Sequence, residues 1–137
     1  MKITICGSMT FSKKMIDIEQ ELLNLKHTVM IPKFTREYSK LETTDMMHAE
    51  SAKNKIEHDL IRDYFKEIKN SDAILVVNED RNGIKNYIGG NSLIEIAFAH
   101  ILGKKIFLLN AIPKISYSDE IMAMKPTILN GDLDKIK

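Results

Sequence analysis

A single cysteine, Cys6, excludes an internal disulfide, and with no CxxC pair or Cys/His cluster the chain offers no zinc site. Cys6 reads as a small buried hydrophobe that ends a strand. Charge of one sign is missing too: 20 Lys and Arg stand against 19 Asp and Glu, a net +1. Spread along the chain, that balance gives no electrostatic footprint for a nucleic acid polymer or a membrane surface. No apolar run approaches the roughly 18 residues that a membrane span requires. The start Met1-Lys2-Ile3-Thr4-Ile5-Cys6 lacks the long apolar region of a secretory signal. His27, His48, His58 and His100 form no H-E-x-x-H spacing, and neither a metal nor a cofactor is expected. No repeat, linker or low-complexity segment divides the chain, so residues 1–137 read as one domain. These absences lead to the expectation of a soluble, cytoplasmic protein whose ligands are small neutral or anionic molecules.

What is present is an alternation of strands and helices. Ile3 to Cys6, Thr28 to Ile31, Ala73 to Val77 and Ile106 to Leu109 are short apolar runs of the kind buried in parallel sheets. A fifth strand is expected over Thr127 to Leu129, opened by Pro126. Between them, Ser12 to Leu25 is an amphipathic helix. A longer helix, capped by Asp45, carries the stripe Ala49, Ala52, Ile56, Leu60, Tyr64, Phe65 and Ile68 and ends near Asn70. A third runs from about Ser92 to Leu102 and is stopped by Gly103, and a short one lies around Asp119 to Met124. The pattern predicts an α/β fold: one doubly wound, flavodoxin- or Rossmann-like sheet of five parallel strands, order 2-1-3-4-5, with helices on both faces. The third helix is apolar on nearly all sides, which predicts burial and packing against a second copy, a homodimer.

In such a sheet ligands gather over the carboxyl ends of the strands. Gly7 and Ser8 follow the first strand, Pro32 to Thr44 the second, and Asn78 to Gly90 the third. The most informative stretch is Gly89-Gly90-Asn91-Ser92-Leu93-Ile94-Glu95, where bare backbone and a carboxylate meet at a helix start, a place suited to anions and sugars. Glu95 is the leading catalytic candidate, as a nucleophile or as the stabiliser of an oxocarbenium-like centre. Ser92-Leu93-Ile94-Glu95 equally matches an S-x-x-E capping box, in which Glu95 only serves its helix. The paired glycines lean towards a ligand, because a capping box does not need them. Gly7 and Ser8 could cradle a phosphate or ribose, and equally form the tight first turn of a doubly wound sheet. Asn78, Asp80 and Arg81 stand at the mouth of the third strand, where Asp80 could act as an acid or hold sugar hydroxyls. Lys33, Arg36 and Tyr38 could serve a phosphate or a base, and Asp63 sits beside a buried stripe.

Ile3-Thr4-Ile5-Cys6-Gly7-Ser8-Met9, Ile68 to Val77, the glycine pair before Glu95, and Gly103-Lys104-Lys105-Ile106 together resemble the nucleoside 2-deoxyribosyltransferase superfamily, which includes the 2'-deoxynucleoside 5'-monophosphate N-hydrolases. The likeness runs over most of the chain as an ordered pattern. It implies a nucleoside or nucleotide substrate and a glutamate nucleophile, at Glu95, that attacks the anomeric carbon to form a glycosyl-enzyme. Beside it, the reading of the residues keeps Gly7, Ser8, Asn78, Gly89, Gly90, Asn91 and Ser92 as candidate substrate-binding positions, with Asp63 or Asp80 as the second acid. The family's Gly-x-Gly-x-Glu is stretched here, and its helical aspartate aligns with Tyr64, one residue from Asp63. The glycine pair also looks like the P-G-G-x-G-T-x-x-E loop of Lonely Guy type phosphoribohydrolases, without its proline, third glycine and threonine. Beside an N-glycosidase or transferase stands a second reading: a non-catalytic nucleotide-binding or sensing module.

Overall fold

The computed structural model describes residues 1–41, 53 and 58–137. Five strands form one parallel sheet in the order β2-β1-β3-β4-β5: β1 (Lys2–Gly7), β2 (Thr28–Met30), β3 (Ala73–Val77), β4 (Lys105–Leu108) and β5 (Thr127–Ile128). The central strand β3 is buried along its whole length, with Ile3 to Gly7 aligned against Ala73 to Val77 on one side and Lys105 to Leu108 on the other. Such a strand cannot alternate apolar and polar residues, because both of its faces are covered.

The strand period of two divides the core into two layers. Ile3, Ile5, Leu75 and Phe107 face one side, where they meet Met15, Ile18 and Leu22 of α1 (Ser12–Asn24). Cys6, Ile74, Val76, Ile106 and Leu108 face the other. There they pack with Ile68 of α3 (Leu60–Lys69), Ile96 and Ala99 of α4 (Gly90–Ile101) and Ile121 of α5 (Ser118–Ala123). A short α2 (Thr35–Tyr38) follows β2. Its start is set by Phe34 at φ 72°, whose left-handed backbone turns the chain after β2.

Three expectations change. The long second helix is not continuous, because His58 and Asp59 are non-helical and Asp59 caps α3, its carboxylate accepting from Arg62 N at 3.2 Å. The proposed cap Asp45 and the stripe residues Ala49, Ala52 and Ile56 lie outside the described residues. The third helix begins at Gly90, two residues earlier than expected, with Gly89 as its N-cap. Finally, that helix is not buried on all sides: Ser92, Ile96 and Ala99 are buried, whereas Ile94 is 39% and Ile101 83% exposed.

A pair of asparagines ties the carboxyl ends of β3 and β4. The Asn78 amide donates to Asn110 O and Ala111 O at 3.0 Å, and its Oδ1 accepts from Asn110 N at 2.9 Å. The Asn110 amide returns a bond to Asn78 O at 3.0 Å. Asn78 is fully buried, so this exchange satisfies polar groups that the sheet ladder leaves behind at its edge.

Candidate functional site

A cleft of about 350 Å³ opens over the carboxyl ends of β1, β2 and β3. The loop after β1 contributes Gly7 to Thr10, the loop after β2 contributes Pro32 and Lys33, and α3 presents Asp63 and Tyr64. The segment from Arg81 to Glu95 closes the remaining side through Arg81, Tyr87, Gly89, Gly90, Asn91, Ser92, Ile94 and Glu95.

Gly7 is where β1 must turn away tightly. A Cβ there would stand 2.6 Å from Met15 Cε and 3.0 Å from Val77 O, and the carbonyl belongs to the central strand, which cannot give way. Gly90 is different, since a Cβ on it would meet nothing within 4 Å. Packing therefore does not explain Gly90, which leaves open backbone at the cleft wall.

The earlier start of α4 removes the capping box. With Gly89 as N-cap, Ser92 is the third helical residue and Glu95 the sixth, more than a turn inside the helix. No side chain caps this N-terminus, and the first intrahelical bond is Leu93 N to Gly89 O at 2.9 Å. The amides of Gly90, Asn91 and Ser92 thus precede the helical ladder and stand on the cleft wall, the positive end of a 12-residue helix.

Glu95, released from capping, faces the cleft beside Cys6 and Tyr64. Its Oε2 is buried with no hydrogen-bond partner among the described residues. Burial pushes its carboxyl up from 4.5 to about 8, and the adjoining Cys6 thiol pulls the other way. Burial also raises Cys6, and the adjoining Glu95 carboxylate raises it further. The Tyr64 hydroxyl donates to Ile5 O, which anchors α3 to β1. Its phenol is pushed up by burial first, then by Cys6, Glu95 and Glu67. The result is one carboxylate in a poorly hydrated recess between a thiol and a phenol.

The other residues singled out from sequence divide clearly. Gly7, Ser8, Gly89, Gly90, Asn91, Ser92 and Asp63 all line the cleft, with Asp63 exposed to solvent. Asp80 does not line it: exposed, it accepts from Asn86 N at 3.0 Å and shapes its own loop. Asn78 is committed to the asparagine exchange beneath. Arg36 forms an ion pair with Glu19 of α1 at 2.9 Å and stays out of the cleft. Tyr87 received no weight in the sequence, where an aromatic in a polar loop carries no periodic signal. Among the described residues no group of three His, Cys, Asp or Glu could hold a metal ion, and no helix is long and apolar enough to cross a membrane.

No protein-family model matches the chain, and no curated protein does. Among solved structures, the chain is similar to the CMP N-glycosidase BcmB of Clostridium botulinum, with a TM-score of 0.51 and 16% identity over 93% of this chain and 85% of that one. At that identity the likeness is one of fold.

Proposed function

We propose that this protein cleaves or transfers the N-glycosidic bond of a nucleoside or a nucleoside 5'-monophosphate, with Glu95 as nucleophile. The observation that carries the reading is the buried, unpartnered Oε2 of Glu95 on the wall of the cleft. A carboxylate freed from capping and held without a counter-charge among the described residues is a costly arrangement for a helix to keep, and chemistry on a ligand gives it a purpose. The name of the similar structure, a CMP N-glycosidase, supports the same bond and substrate class.

In this mechanism an ionised Glu95 oxygen forms a bond to the anomeric carbon as the bond from that carbon to the base nitrogen breaks. The base takes a proton from Asp63 or from water and leaves, and water or a second base then displaces Glu95 from the glycosyl-enzyme. The reading includes a homodimer, since Ile94 and Ile101 leave apolar surface exposed along α4. The competing reading, a nucleotide-binding module without turnover, draws on Tyr64, which occupies the helical position where the resembling family carries an acid.

The test is chromatography of base release across ribo- and deoxyribonucleosides and their 5'-monophosphates. Glu95→Gln should abolish release while the circular dichroism and melting curve stay those of a folded protein. Full turnover by Glu95→Gln would exclude Glu95 as nucleophile, and no release from any substrate by the wild type would favour the binding module.

A further inference from the structure

Two Asn-Gly pairs, Asn82-Gly83 and Asn130-Gly131, lie in the chain. Both residues of each pair have a positive φ: 51° and 76° in the first, 51° and 79° in the second. Positive φ at both central residues is what a type I′ turn requires, and Asn-Gly is its favoured dipeptide. Arg81 and Ile84 close the first turn with backbone hydrogen bonds at 3.0 and 2.9 Å, and Asp132 N closes the second on Leu129 O at 3.1 Å. All four central residues are exposed.

The two turns differ in the state of the glycine nitrogen. Gly131 N donates to Leu109 O at 2.8 Å, which pins the second turn to the end of β4. Gly83 N has no hydrogen-bond partner among the described residues, and neither has the Asn82 side chain. Crowding does not separate the pairs, since a Cβ on either glycine would meet nothing within 4 Å. What separates them is one hydrogen bond on the backbone nitrogen that follows the asparagine.

We propose that Asn82 is a site of spontaneous deamidation, a modification from which the folded protein protects Asn130. The Gly83 nitrogen attacks Cγ of Asn82 to form a cyclic imide, the bond from Cγ to the side-chain nitrogen breaks, and that nitrogen leaves as ammonia with the proton Gly83 gives up. Water then adds to one of the two ring carbonyls and breaks its bond to the ring nitrogen, which leaves aspartate or isoaspartate. Glycine suits this step because no side chain stands beside the attacking nitrogen. The turn must open for the two atoms to meet, and a single antiparallel residue pair, Arg81 with Ile84, closes it. At Asn130 the Gly131 nitrogen must first give up its bond to Leu109 O, which holds the reaction back. The product bears on the cleft by its position. Isoaspartate carries the main chain through an added methylene, which a two-residue connection cannot absorb with its paired hydrogen bonds intact. Either product places a new negative charge one residue from Arg81, which lines the cleft.

The test follows both asparagines in one sample. The intact wild-type protein is held at mildly alkaline pH for days, portions are digested with pepsin in acid, where the reaction stops, and the peptides holding Asn82 and Asn130 are separated and weighed by mass spectrometry. Conversion of amide to carboxylate should accumulate at Asn82 about 3- to 10-fold faster than at Asn130, the factor that one hydrogen bond of ordinary net strength imposes. It should appear as two products of equal mass, isoaspartate and aspartate. In concentrated urea the bond from Gly131 to Leu109 is gone, and the two sites should react at similar rates. No conversion at Asn82, conversion of Asn130 as fast or faster in the folded protein, or a difference that persists in urea overturns the inference. The readout is a mass and needs no ligand, so it stands whether or not the cleft turns over a nucleotide.

Discussion

As the proposed nucleophile, Glu95 would have to meet two demands that conflict at neutral pH. A nucleophile must be ionised, yet burial holds this carboxyl at about 8, so roughly a tenth is ionised in the free protein at pH 7. If Glu95 is the nucleophile, kcat/KM should rise with pH along a limb whose apparent pKa is near 8, since that parameter reports the free enzyme. Cys6 belongs to the same balance, because its thiol favours the ionised carboxylate. Cys6→Ala should shift the limb to higher pH, and an unmoved limb in a folded, active variant would remove Cys6 from that role. From the sequence Cys6 was legible as a buried strand residue. Its meeting with Glu95, 89 positions later in the chain, depends on β1 and α4 being packed face to face.

At the scale of elements, the carboxyl edges of β3 and β4 are joined by side chains as well as by the ladder. Asn78→Ala would remove two donated bonds and one accepted bond, leaving Asn110 N and the carbonyls of Asn110 and Ala111 without their buried partner. The expected cost is about 2–4 kcal/mol, read as a lower urea midpoint at unchanged slope. A loss below about 0.5 kcal/mol would show that water replaces the amide at little cost. The same scale explains the misreading of α4. Ser92 and Glu95 have the spacing of a capping box, but the motif works only if Ser92 is the N-cap. The helix runs back to Gly90, and the motif falls inside the helix. Local spacing could not reveal this, because the start of a helix depends on where the preceding loop is held. Here the Tyr117 hydroxyl holds that loop through Ile88 O, from 29 residues further on.

For the whole molecule, Glu95 makes stability depend on pH. The folded state holds this proton up to about pH 8, whereas the unfolded chain releases it near 4.5. Its contribution is therefore full below the unfolded value and is lost as pH rises through the folded value. Stability should fall between those limits by at most about 5 kcal/mol, reduced by whatever water reaches the recess. Glu95→Gln, which cannot ionise, should gain on the wild type across this window and exceed it in melting temperature above about pH 8. A constant difference between the two proteins from pH 5 to pH 9 would mean that the recess is well hydrated and that burial does not govern Glu95.

The amino-acid sequence by itself determined the strand order and the edge of the sheet on which the cleft opens. Apolar runs of four or five residues separated by amphipathic helices admit few other arrangements once connections must be short and of one hand. It also marked Glu95 and its glycine pair, since bare backbone followed by an acid is a local pattern. Only the tertiary structure decided what those residues face. It committed Asn78 and Asp80 to the backbone around them, turned Ser8 from a candidate ligand contact into a brace for Arg81, and set Glu95 between Cys6 and Tyr64. The physical reason is that periodicity reports which face of an element is apolar. Hydrogen-bond partners and burial at a site come from segments distant in sequence, and they exist only when the sheet brings those segments together.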